Sequence, residues 1–495
     1  MPTALHVRHT PLVSEQQRHR ELVMPVDDMH PSEAADRTPR VMLVGPLVVL
    51  AAVPLILLRF GTAPISDPDA LWHVVAGRQL WSTWQFAGPD QLATFTRLPF
   101  VHHQWLPELA MAGMDALGGL PAVAWLFHVT LLGFFVATYA LCRSRAGMLA
   151  ALLASVATWV GASGSLSPRP QVVGFLLLAV SLAAWLRTAD DGRLRWWLVP
   201  TTLLWACVHG TWLYAVALAV LFSVGLLLDG RFGRKQLKRL GVFVAALVLV
   251  ALVTPVGPGL VLAPFAISQV SPFIMEWKPT PISDPSAVAT LMMGLVVIVS
   301  WLRAERVDWT RLLLWLLAMG SALMYARTIA VGAILVAPLF AEVLQRRVPQ
   351  RPVPGRVERR ILAVASVASL LIAAVLVPST AAFPAKVPRN FDAYLAVLPE
   401  GTVVWNVDAL GGWLMYEYPN VRPTMDTRAE VYGADYLQSY VRAISGYPGW
   451  HETVQSTGAR YAIVTEDSPL QDGLVRQEEW RVLARDEQYI LLTAP

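Results

Sequence analysis

The stretch Ser66 to Trp81 reads SDPDALWHVVAGRQLW and gathers two aspartates, a histidine and an arginine within one helical length. Pro68 restricts Asp67 to extended backbone, and Asp69 stands immediately before a helix-like run, where an aspartate serves either as a helix cap or as a proton acceptor for a hydroxyl. His73 follows one turn later on the same side. Leu71, Val74 and Val75 form an apolar face suited to a bilayer boundary, flanked by Trp72, Trp81 and Trp84.

Farther along, HHQWLPEL supplies His102, His103 and Glu108, with Asp90 upstream. Adjacent histidines rarely both ligate one ion, and neither HxxxH nor HExxH occurs, so no protein metal site is assigned. A P-loop, a GxGxxG turn after a strand and a nucleophile elbow are also missing, which argues against an ATP-driven pump and a serine hydrolase.

The elements that must position these residues follow from composition. Of 495 residues, 55% are hydrophobic and only 15% charged, against about a quarter in soluble domains. Mean hydropathy is +0.49. The chain is a multi-pass membrane protein. Disorder over most of its length and a disulfide scaffold are excluded, since Cys142 and Cys207 are the only cysteines and both sit within or at the end of apolar runs. The net charge of +4 resides in short basic clusters between apolar stretches, which are topology signals and not a nucleic-acid site.

The first forty residues are polar and carry no cleavable signal peptide. Apolar stretches then run over 41–58, 123–141, 148–160, 172–186, 196–228, 242–255, 287–301, 312–325, 329–344 and 361–377. Basic clusters flank 196–228 on both sides, so the positive-inside rule makes it two short helices meeting near His209 and Gly210. Eleven spans result, with the amino terminus cytoplasmic and the carboxyl terminus outside. Of the lysines and arginines, 24 fall in the segments assigned to the cytoplasm and 6 in outer loops and helix ends, which favours this orientation over its inverse. The expected organisation is a polar segment 1–40, a transmembrane domain 41–380 with a large first outer loop 59–120, and an extracytoplasmic α/β domain 381–495.

Outside that last domain the outer cations are Arg59, Arg78, Arg97, Arg169, Lys278 and Arg327. Arg169 in SPRPQ and Arg327 in YARTIA lie at span ends, where an arginine either snorkels to headgroups or meets an anionic partner. His209 is read either as a core histidine or as a group at the tip of two short helices. In the tail, DTRAE offers Asp426 and Arg428 as a surface pair or an acceptor contact.

Taken in order, DPDALWHVVAGR, PDQLATFT, HHQWLPELAM, SPRPQ, WACVHGTW, MEWKP, YARTIA and MDTRAEVYG resemble the bacterial membrane glycosyltransferases of the GT-C superfamily, relatives of protein O-mannosyltransferases. The likeness spans most of the chain after residue 60, with Cys207 standing where the pattern usually has Asn. The resemblance implies a GT-C-like helical fold, a polyprenyl-phosphate-linked sugar donor and an unknown glycan, lipid or protein acceptor. It implies Asp69 as the base, with Asp67 and Glu108 next. Arg169, Arg327, Lys278 and Arg78 become candidates for the donor phosphate. His73, His102, His103, His209, Glu276, Asp426 and Arg428 become candidates for substrate contacts. Some superfamily members use a divalent ion, which leaves room for Mg or Mn. The implied location is the inner or plasma membrane of a bacterium, in keeping with the high Ala, Val and Arg content.

Two other classes share the features of a many-span protein: a transporter or flippase for lipid-linked glycans, and a noncatalytic scaffold. A transporter needs ionisable residues near the middle of its spans, where this chain has few. A scaffold has no need for Asp, His and Arg clustered beside the bilayer.

Overall fold

The computed structural model describes residues 41–303, 306–348 and 355–495, so the expectation for the first forty residues lies outside the described residues. Every apolar stretch read above is largely helical. The helices are α1 (Val41–Ile56), α2 (Pro68–Thr83), α3 (Trp105–Arg143), α4 (Met148–Ala162), α5 (Gln171–Asp191), α6 (Leu198–Ala206) and α7 (Leu213–Leu228). They continue with α8 (Arg234–Leu249), α9 (Pro258–Val270), α10 (Pro285–Trp301), α11 (Trp309–Met324), α12 (Ile329–Gln345) and α13 (Arg356–Thr380). Among the described residues, seven helical segments are long and apolar enough to cross a membrane.

The 196–228 stretch breaks where the charge argument placed the break, between α6 and α7. With nine residues, α6 reaches only about 14 Å, short of a hydrocarbon core. The core helix is α12, apolar on every side and packed by α4, α10 and α11. Within α3, Gly118 and Gly119 leave helical geometry, Gly119 with φ +64°, so the helix has a leading part before residue 118 and a membrane-spanning part after 119.

After Thr380 the chain forms a five-stranded sheet from β1 (Thr402–Asn406), β2 (Val421–Pro423), β3 (Tyr461–Thr465), β4 (Arg481–Arg485) and β5 (Tyr489–Thr493), in the order β2-β1-β3-β5-β4. The β1 strand pairs in parallel with β2 and β3, and β5 is antiparallel to both of its neighbours. Helices α14 (Asp408–Glu417) and α15 (Ala434–Ile444) complete the α/β layer with Trp450–Ser456 and Pro469–Arg476. The short β2 and the helix Pro469–Arg476 carry too few periodic residues to stand out in the sequence.

One expectation is corrected here. Leu71 and Val74 do not rest on lipid: they are buried in a cluster with Met111 of α3 and Leu410, Trp413 and Leu414 of α14. Two glycines permit this sandwich. A Cβ on Gly77 would lie 2.0 Å from the Glu108 carbonyl oxygen, and one on Gly412 would lie 2.6 Å from the Pro68 carbonyl oxygen. Helix α2 is therefore clamped between α3 and the tail.

Candidate functional site

Asp67 has extended backbone, and its carboxylate accepts from the Asp69 N–H at 2.9 Å, with Pro68 as the first helical residue. Asp67, not Asp69, is the cap of α2. The Asp69 carboxylate is thereby left to tertiary partners.

Its first partner is Arg169, in the loop between α4 and α5 where Pro168 and Pro170 on either side restrict the backbone. Arg169 Nη1 lies 3.0 Å from Asp69 Oδ2 and 2.7 Å from Glu276 Oε1, while its Nε donates to Asp67 Oδ2 at 2.7 Å. Glu276 stands on the single turn Met275–Trp277, and its other oxygen accepts from Arg327 Nη1 at 3.2 Å. Arg327 Nη2 lies 3.5 Å from His209 Nε2, and His209 Nδ1 accepts the Thr211 N–H to cap the turn Gly210–Trp212. The second Asp69 partner comes from the tail: the Thr427 hydroxyl donates to Asp69 Oδ1 and accepts from Trp72 Nε1 at 3.0 Å.

Burial pushes the Asp69 carboxyl above the ordinary carboxylate range; Arg169 opposes this and the charge of Asp67 reinforces it. Burial acts against the charge of Arg169, but Asp69, Asp67 and Glu276 more than offset it and hold the guanidinium ionised. Burial, with the Arg327 charge, pushes His209 well below the usual histidine value.

Behind this centre lie two buried clusters. Arg428 reaches Asp90 at 2.8 Å and Asp426 at 2.7 Å, all three side chains fully buried, and the Tyr432 hydroxyl donates to Asp426 at 2.8 Å. The expectation of a surface pair is corrected: all three side chains are buried and paired with one another, Asp426 and Arg428 on either side of Thr427. In the second cluster, Glu108 on the leading part of α3 bonds His73 Nδ1 at 3.2 Å and His102 Nδ1 at 2.8 Å. Burial raises the Glu108 carboxyl, but the two histidine hydrogen bonds outweigh it and hold it at about 2.

A cavity of about 650 Å³ joins these parts. Of the residues singled out in the sequence, Asp69, His73, His103, Arg169, His209 and Glu276 line it, as do Arg327, Asp426 and Arg428. Others stand apart. Asp67, Glu108 and His102 lie behind the lining, Lys278 is exposed outside it, and Arg78 is held by Asp115 at 2.6 Å and stacks 4.6 Å over Tyr416. Leu260 and Ala263 of α9 contribute apolar lining, together with Phe175 and Val331.

Thr427 and Asp408 are polar cavity residues that went unnoticed in the sequence. Thr427 was inside DTRAE, where only its charged neighbours drew attention. Asp408 sits just past the carboxyl end of the parallel strand β1, the position where α/β sheets bind ligands, and that placement was the available signal. Burial pushes its carboxyl up, against the backbone N–H of Ala409, with the charges of Asp426 and Asp69 adding to the rise.

The donor set does not fit a divalent cation. Asp67, Asp69 and Glu276 all converge on the Arg169 guanidinium, and both Glu108 oxygens are taken by histidines. Among the described residues, no group of three or more His, Cys, Asp or Glu side chains is arranged to hold a metal ion.

The helical membrane bundle, with its long first loop and a carboxyl-terminal α/β layer beside the cavity, has a GT-C-like fold, which it shares with solved structures. Its structural neighbours include the oligosaccharyltransferase of Archaeoglobus fulgidus, with a TM-score of 0.56, 12% identity, and coverage of 86% of this chain and 70% of that one. ArnT from Cupriavidus metallidurans matches with a TM-score of 0.53 and 14% identity over 90% of this chain and 98% of that one. The mycobacterial arabinofuranosyltransferase AftD matches with a TM-score of 0.50 and 13% identity over 90% of this chain and 41% of that one. No family model and no curated protein matches the sequence.

Proposed function

We propose that the protein transfers a sugar from a polyprenyl-phosphate-linked donor to an acceptor hydroxyl outside the cytoplasm, with inversion at the anomeric carbon. The observation that carries this reading is one cavity holding a carboxylate, Asp69, and two arginines, Arg169 and Arg327, beside apolar helix side chains. Two neighbours lend it chemistry: the Archaeoglobus enzyme was solved in complex with an inhibitory peptide and a dolichol-phosphate, and ArnT bound to undecaprenyl phosphate.

The acceptor oxygen attacks the anomeric carbon as the bond from that carbon to the phosphate oxygen breaks. Asp69 takes the hydroxyl proton. The polyprenyl phosphate departs with both electrons of the broken bond and one more negative charge, which Arg169 and Arg327 stabilise. Phosphate is already a good leaving group, so the step needs no strong general acid. Thr427, held by the tail, aims the Asp69 carboxylate. The bundle 41–380 then serves the lipid side and the domain 381–495 the acceptor side, in a bacterial inner or plasma membrane with the amino terminus cytoplasmic.

Mass spectrometry of lipids retained by the purified protein tests the donor. A polyprenyl phosphate or its glycosylated form is expected to co-purify. Bulk phospholipid alone would count against the reading.

A further inference from the structure

Glu276 differs from the other two carboxylates on Arg169. Its side chain is 39% exposed, against 7% for Asp67 and 17% for Asp69. It stands on a single turn in the connection between α9 and α10, whereas the other two belong to the start of α2, which is clamped on both sides. Its two oxygens bridge the two cavity arginines, at 2.7 Å from Arg169 Nη1 and 3.2 Å from Arg327 Nη1. Among the described residues, Glu276 is also the one carboxylate that Arg327 meets.

A phosphate that bridges both arginines as the carboxylate does would draw on those same Nη1 atoms, with two of its oxygens spanning the guanidinium pair. It cannot sit beside Glu276, since two anions in contact repel each other strongly in a partly buried site. We propose that Glu276 is a built-in competitor for the lipid phosphate: it holds Arg169 and Arg327 in register, and the phosphate binds by displacing its carboxylate. Asp67 and Asp69 keep Arg169 anchored during the exchange. This inference rests on the reading of the two arginines as the donor-phosphate site and adds a residue that weakens, and so tunes, binding there.

The test uses the full-length protein in lipid nanodiscs, with decyl phosphate as the lipid probe and inorganic phosphate as the headgroup probe. Glu276→Gln removes the charge with little change of shape, and Glu276→Ala removes the side chain beyond Cβ. Both are expected to bind decyl phosphate about tenfold more tightly than the parent, the size of one charge-assisted contact, while Arg327→Ala binds it about tenfold more weakly. An equal gain for inorganic phosphate would show that the headgroup alone displaces Glu276, and a gain confined to decyl phosphate would show that the chain must seat first. If both Glu276 variants keep their unfolding midpoint yet bind no more tightly, while Arg327→Ala still weakens binding, the competitor role is overturned and the phosphate site stands. If Arg327→Ala and Arg169→Ala bind decyl phosphate like the parent, the phosphate site itself is overturned.

Discussion

Asp69→Asn is expected to lower sugar transfer by at least about 100-fold, the usual cost of losing a general base, while leaving decyl phosphate binding intact. Asparagine keeps the size of the side chain, and its carbonyl oxygen can still accept from the Thr427 hydroxyl, so α2 and the tail stay in contact. Arg169 retains Asp67 and Glu276, which preserves the phosphate side. The variant therefore separates proton acceptance from assembly.

The pH dependence follows with a definite sign. A base works only when ionised, and burial raises the Asp69 carboxyl above its usual value of about 3.9. Transfer should thus fall on the acid side at a pH above that value, and the residual activity of Asp69→Asn should lose this limb. Turnover near the parent level would move the base elsewhere. Asp67 would then be a poor substitute, because its carboxylate is committed to the Asp69 N–H and to Arg169.

Arg428→Ala is expected to destabilise the protein by about 3–5 kcal/mol, since it leaves Asp90 and Asp426 as uncompensated buried charges. Arg428→Lys should recover little of this, because one ammonium cannot reproduce a fork that engages two carboxylates at once. Unfolding midpoints in detergent measure both effects. A midpoint unchanged in Arg428→Ala would mean that the cluster does not hold the tail to the first loop. A lowered midpoint with normal transfer at low temperature would separate its structural part from any effect on Thr427.

What the sequence disclosed and what it hid divide along range. Hydropathy and charge flanks located the bundle helices, including the break before His209, because a span needs a continuous apolar run whatever its neighbours are. The short apolar runs at 402–405, 461–464, 481–484 and 489–492 read as strands from local sequence alone, and they coincide with β1, β3, β4 and β5. The capping of α2 was legible but misassigned: Pro68 at the first helical position points to the residue before it, Asp67, as the cap. Arg428 looked like a surface residue because its partner Asp90 is 338 positions away. Glu276 was noticed only through its motif, since nothing local shows that MEWKP will set one carboxylate between arginines from two distant loops. Leu71 and Val74 looked lipid-facing because an apolar stripe does not say whether lipid or another helix will cover it.

The bond between Thr427 and Asp69 joins residues 358 positions apart. During synthesis, α2 and the loops bearing Arg169, Glu276 and Arg327 are all made before Thr427 leaves the ribosome. The arginines can therefore assemble early, whereas the carboxylate receives its aiming partner only when nearly the whole polypeptide exists. A nascent chain stalled short of the tail, or one clipped there by a protease, would retain the lipid-facing half of the centre without its finished acid–base half. Completion of the centre thus awaits translation of the last domain.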